Sequence, residues 1–154
     1  MKALELKIPP PVVALLVAAA MWGVSLIGLA PLDLPAFVRV FLGAALALAG
    51  GVISLLGVIA FRHAKTTANP LKPQNASSLV TTGIYGFTRN PMYVGLLLVL
   101  LGWAAFLFSP WALVGPLAFV LYIGRFQIEP EERALVALFG AAFTTYAARV
   151  RRWL

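Results

Sequence analysis

The chain has 154 residues, 62% hydrophobic and 11% charged, with a formal net charge of +7, no cysteine and a single histidine. Disulfides, thiolate nucleophiles, cysteine metal sites and multi-histidine metal centres are excluded. A soluble domain of this length cannot bury so much apolar surface, which makes a lipid bilayer the natural solvent.

Four apolar stretches follow one another at about 11–30, 36–61, 91–108 and 111–128. Each approaches the roughly 20 residues that cross about 30 Å of hydrocarbon. The expected fold is all-α: an integral membrane helical bundle of about four transmembrane helices plus a C-terminal amphipathic cytoplasmic helix, in a single domain over 1–154. The first stretch leads into Pro31-Leu32-Asp33-Leu34-Pro35 with no clear small-residue cleavage pattern, so it reads as a retained span. Asp33 reads as a turn residue. In the second stretch Gly50, Gly51 and Gly57 permit close helix packing, either within the chain or in a homodimer.

Residues 62–90 form a long polar connection, and Ser109-Pro110 a tight one. Of the 12 lysines and arginines, Lys2, Lys7, Arg62, Lys65, Lys72, Arg89, Arg125, Arg133, Arg149, Arg151 and Arg152 fall on one side of the alternating spans, and Arg39 alone on the other. That asymmetry predicts both termini in the cytoplasm. The basic charge is therefore a topology signal with some attraction for anionic lipid, and nucleic acid is not an expected partner.

Beyond the fourth stretch, Leu135, Leu138, Phe139, Phe143, Tyr146, Val150 and Trp153 recur at helical steps. Glu129-Pro130-Glu131-Glu132 suits the opening of a helix and Arg149, Arg151 and Arg152 its close. A helix over 130–152 is expected, lying along the membrane surface or under the bundle.

Polar residues concentrate in 79–95 and 125–133, on the same expected side. Asn90-Pro91 reads as a helix start, with Asn90 as cap and free backbone amides able to receive an anion. Arg89 adds charge, Tyr93 carries a hydroxyl that needs a partner, and Gly95 would let a ligand approach. An ordinary capped helix with interfacial residues gives the same spacing. Glu131 and Glu132 either complement the helix dipole or turn a carboxylate inward to a ligand. Arg125 either snorkels outward or serves a cavity. His63 is more often a boundary residue than a base in such a position. Tyr85, Phe87 and Tyr93 suit an aromatic belt, or stacking on a ligand near a positive charge. There is no serine–histidine–acid set, phosphate loop or zinc spacing.

The run Gly83-Ile-Tyr-Gly-Phe-Thr-Arg-Asn-Pro-Met-Tyr-Val-Gly95, followed by Glu131-Glu132-Arg-Ala-Leu-Val-Ala-Leu-Phe-Gly140 and Tyr146, resembles the isoprenylcysteine carboxyl methyltransferase family, itself similar to membrane phospholipid methyltransferases. The resemblance covers roughly Phe61 to the C-terminus. It implies an integral membrane methyltransferase that uses S-adenosylmethionine in a cytoplasmic pocket and takes a lipid or lipid-like acceptor from the bilayer. Ser77, Ser78, Leu79, Val80, Tyr85, Arg89, Asn90, Pro91, Met92, Tyr93, Gly95 and Glu131 then become cofactor-binding candidates, with Thr66 from a looser part of the alignment. Arg125 and Glu132 become catalytic candidates, and no metal is implied. The family motif reads Arg-His-Pro where this chain has Arg89-Asn90-Pro91, and a family arginine facing the substrate carboxylate falls on Gln127. These departures bear on the acceptor more than on the cofactor. Two other readings compete: a nicotinamide-dependent membrane reductase of the sterol-reductase type, and a small non-enzymatic membrane protein.

Overall fold

The computed structural model describes residues 4–27, 34–66, 69 and 71–154. Helices and connecting segments make up these residues, with no strand among them. The helices are α1 (Pro10–Ser25), α2 (Ala36–His63), α3 (Pro91–Leu107), α4 (Val114–Ile123), α5 (Glu129–Phe139) and α6 (Ala141–Arg149). Helix α1 starts on Pro10 and α3 on Pro91, where the missing N–H breaks no intrahelical bond. Helix α3 ends at Phe108 in the left-handed conformation, φ 50°. The expected turn at 31–35 lies partly outside the described residues, as do Lys2 and Asp33.

Two helical runs are long and apolar enough to cross a membrane: Ala36–His63, and the continuous run Pro110–Phe139. Helices α1 and α3 are apolar but shorter. Leu15, Phe37, Phe41 and Leu48 stand at least 70% exposed. Such a surface requires an apolar surround, and the chain is associated with a membrane.

Helices α2 and α3 pack most intimately. A methyl group added to Gly50 would strike the backbone of Gly95, and one added to Gly95 would strike Ser54 and Gly50. Ser54 Oγ donates to the carbonyl of Met92 at 3.3 Å. Gly50 and Gly57 thus serve packing inside the chain, against α3, whereas Gly51 faces open space. The core proper lies between α1, α3 and α4, around Met21, Leu100, Phe119 and Ile123.

The C-terminal third departs from the expectation twice. Pro130 does not open a separate helix: the chain continues from α4 through a π-helical turn, Gly124–Ile128, straight into α5. Pro130 has no N–H to give the preceding turn, and the carbonyl of Phe126 is met by the N–H of Leu6 at 3.0 Å. The break comes at Gly140 instead, with φ 51°, a conformation that favours glycine. The expected helix over 130–152 is therefore two, α5 and α6, and residues after Arg149 leave helical geometry.

Candidate functional site

The start of α3, the segment before it and the α5–α6 pair enclose a cleft. Its walls include Phe61, Ser78, Leu79, Val80, Tyr85, Arg89, Asn90, Met92, Tyr93, Glu131, Glu132, Leu135, Phe143 and Tyr146. Its free interior is about 100 Å³. Typical small-molecule pockets hold roughly 300–1,000 Å³, so this cleft is narrow.

At the centre, Tyr93 is buried and its hydroxyl donates to Glu131 Oε1 at 2.5 Å. Gln127 Nε2 donates to the same oxygen at 2.7 Å. The π-helical turn places Gln127, 2% exposed, one turn before Glu131 on the inward side. Two donors on one carboxylate oxygen hold it in a fixed direction. Sequence reasoning noted Gln127 only as a departure from a family arginine; here it orients the carboxylate.

Around this centre a second network ties the segment before α3 to the C-terminus. Arg89 donates from Nη2 to Glu132 Oε1 at 2.7 Å, and from Nη1 to the carbonyls of Ala147 at 2.7 Å and Val150 at 3.0 Å. Its backbone N–H donates to Arg151 O at 3.0 Å. Arg152 donates to Glu132 Oε2 at 2.6 Å, and the Glu132 contact raises the guanidinium pKa further. Asn90 Nδ2 donates to the Arg152 carbonyl at 2.8 Å. Asn90 is thus the residue before α3 as expected, but its side chain does not cap the helix; it holds the C-terminal segment. Glu132 lines the cleft with both oxygens engaged by arginines, which makes it a positioning group rather than a free acid or base. Arg89 Nε is buried with no hydrogen-bond partner.

The aromatic wall is fixed by Tyr146, whose hydroxyl donates to the Tyr85 carbonyl at 2.7 Å. Phe61 meets the Tyr85 ring edge-on at 5.2 Å. Burial pushes the Tyr85 phenol well above its ordinary range, with Tyr146 and Glu131 adding to the effect. Burial also raises Tyr146, to about 12, against the opposing influence of Arg89. Both stay protonated near neutrality.

Of the candidates read from the sequence, Ser78, Leu79, Val80, Tyr85, Arg89, Asn90, Met92, Tyr93, Glu131 and Glu132 share this cleft. The others do not line it. Thr66 Oγ1 accepts the backbone N–H of Ser77 at 2.9 Å and of Ser78 at 3.4 Å, shaping the loop behind the wall. Ser77 Oγ turns to the Lys65 carbonyl. Pro91 is buried at the start of α3 and packs near Gly57. Gly95 faces α2, where any side chain would meet Ser54, so its role is helix packing rather than ligand approach. Arg125 is exposed and pairs with Glu129 one turn on; the helix is irregular there, yet Arg125 does not line the cleft. His63 is exposed and borders a different cavity, sharing Leu79 and Val80 with the cleft. Phe61, Leu135 and Phe143 are wall residues that sequence reasoning did not single out as ligand contacts, although Leu135 and Phe143 belong to the apolar helical face it identified.

Comparison with known proteins places the chain in a family. Residues 38–142 match the family model for phospholipid methyltransferases. The chain is 28% identical over 111 residues to protein-S-isoprenylcysteine O-methyltransferase B of Arabidopsis thaliana, covering 70% of this chain and 55% of that one. It is 30% identical over 117 residues to a probable protein-S-isoprenylcysteine O-methyltransferase of Oryza sativa subsp. indica, covering 74% of this chain and 60% of that one. A Haemophilus influenzae protein described as uncharacterized is 44% identical over 63 residues, covering 41% of this chain and all of that one. The chain thus spans between half and two thirds of the length of these plant relatives. No solved structure matches it. The matched segment runs from α2 to the start of α6 and contains Tyr93, Gln127, Glu131 and Glu132, and on that match the chain belongs to the phospholipid methyltransferase family.

Proposed function

We propose that the chain is an S-adenosylmethionine-dependent membrane methyltransferase that methylates a lipid or lipid-like acceptor, with four spans and with both termini and the cleft on the cytoplasmic side. The observation that carries this reading is the Tyr93–Glu131–Gln127 cluster inside a cleft of a family member. The donor set fits the cofactor chemically. Glu131 offers a held carboxylate to a cationic group. Arg89 lines the cleft and brings a guanidinium charge suited to an anion. Phe61, Tyr85, Phe143 and Tyr146 offer aromatic surface to a base.

S-adenosylmethionine, when bound, supplies a methyl group on a positively charged sulfur. The chain's own residues then have few tasks. Tyr93 and Gln127 hold the Glu131 carboxylate in direction, and Arg89 and Glu132 hold the C-terminal segment against the start of α3. The aromatic wall excludes water. Holding two reactants in line can by itself supply several kcal/mol of rate enhancement. The positive-inside distribution of basic residues supports the cytoplasmic orientation, and the exposed apolar helix faces support an acceptor that arrives through lipid.

Equilibrium dialysis of labelled S-adenosylmethionine against the detergent-solubilised chain tests this reading. Saturable binding that NADPH does not displace is expected. Absence of saturable binding, or displacement by NADPH at equal concentration, overturns it.

A further inference from the structure

A second concavity lies among α1, α2 and α3, about 730 Å³ in volume and sharing no lining residue with the cleft. Its lining includes the small residues Ala14, Ala44, Ala47 and Gly102 together with Trp103 and Phe106. The trough exists because α2 and α3 approach so closely: a methyl on Gly43 would sit 3.0 Å from the Gly102 carbonyl. The Trp103 indole is pinned to α1 by donating to the Ala18 carbonyl at 3.0 Å, which fixes that wall.

A charge lies beside the trough, on the residue before the lining Val40 and against the lining Phe106. Arg39 donates through Nε at 2.9 Å and Nη2 at 2.6 Å to the Phe106 carbonyl, and through Nη2 to Leu107 O at 3.3 Å. Its guanidinium lies 5.9 Å from the centre of the Phe106 ring. Among the described residues, Nη1 has no hydrogen-bond partner. Among the described residues at this end of the bundle, Arg39 is the only charged side chain.

The dimensions match one membrane leaflet. Along α3 the lining runs from Leu96 to Phe106, about 15 Å at the helical rise, which is half of a roughly 30 Å hydrocarbon layer. A guanidinium is well matched to phosphate oxygens. We propose that this trough is a binding site for a diacyl glycerophospholipid of the leaflet opposite the cleft, with one acyl chain on its small lining residues and the phosphate on Arg39 Nη1. A helix from a second copy of the chain fits less well, because its apolar side chains would desolvate the outward edge of the Arg39 guanidinium.

Native mass spectrometry of the full chain in detergent, supplemented with dimyristoyl phosphatidylglycerol, tests the proposal. The wild-type chain is expected to retain one phospholipid. Ala44→Phe, which fills the trough, and Arg39→Gln, which removes the phosphate partner, are each expected to weaken retention about tenfold, the scale of losing a good charge-assisted contact. Leu48→Phe, outside the trough, is expected to leave it unchanged. If Ala44→Phe does not fold, Arg39→Gln carries the test, with thermal melting as the check on its fold. Four results would overturn the proposal. These are no stoichiometric phospholipid on the wild type; equal retention by all variants; equally tight binding of dimyristoylglycerol, which lacks the phosphate; and a wild-type dimer that Ala44→Phe converts to a monomer, which would assign the trough to a second copy.

Discussion

Tyr93, the third residue of α3, donates its phenolic hydrogen to Glu131 of α5 at 2.5 Å. This contact joins segments 38 residues apart in sequence and closes the cleft on its inner side. Around it stands the Arg89–Glu132–Arg152 network, and the two arrangements make different demands on substitution.

Glu132 is the single carboxylate shared by Arg89 and Arg152. Glu132→Gln leaves two guanidiniums without their counterion, one of them only 14% exposed. Removing one partner of a fully buried pair costs about 3–5 kcal/mol, and the more exposed Arg152 contributes little. A stability loss of about 2–3 kcal/mol is expected by thermal unfolding in detergent. Arg125→Ala removes an exposed pair one turn apart and is expected to cost less than about 0.5 kcal/mol in the same assay. Equal losses would contradict the assignment of Glu132 as the structural hub.

The glycines of α2 and α3 are not equivalent. Gly95→Ala forces a methyl against Ser54 and the Gly50 backbone, and overpacking of this kind costs about 1–3 kcal/mol. Gly51→Ala meets no heavy atom within 4 Å and replaces a poor helix former with the best one, a gain of up to about 1 kcal/mol. Melting temperatures of the two variants are expected to move in opposite directions, Gly95→Ala down and Gly51→Ala up.

Tyr146 gives a pH signature. Its phenol keeps its proton to about pH 12 in the folded chain because burial disfavours the phenolate. Unfolded tyrosine ionises near pH 10. Below pH 10 both states hold the proton and the group adds no pH dependence. Between about 10 and 12 the unfolded state has released it and the folded state has not, so stability falls as pH rises. Tyr146→Phe is expected to remove that part of the alkaline slope, read as the difference between the two unfolding curves over this range. Identical slopes would show that Tyr146 is not held protonated by the fold.

Much of this was legible in the sequence for definite physical reasons. Proline at position 91 marks the start of α3 because its missing N–H costs a helix nothing in the first turn. The apolar spacing through Leu135, Phe143 and Tyr146 marked a helical face without saying what it packs against; in the structure these three residues line the cleft. The continuous helix through Pro130 was not legible. Its local pattern of acids around a proline is that of a helix start, and what accommodates it is Leu6, 120 residues upstream, bonding to Phe126. The break at Gly140 was hidden because the apolar face continues on both sides of it. Arg125 and Gly95 could not be placed from spacing alone: whether either faces the cleft depends on helix rotation, which the π-helical turn and the α2–α3 contact set.

The most direct test of the central claim is a double-mutant cycle on S-adenosylmethionine binding, using Tyr93→Phe, Glu131→Gln and the pair together. If the start of α3 and α5 wall one ligand site, the single substitutions weaken binding and the double weakens it by less than their sum, with a coupling of about 1 kcal/mol or more, as for residues in direct contact. Strictly additive effects, or single variants that bind as tightly as the wild type, would contradict it.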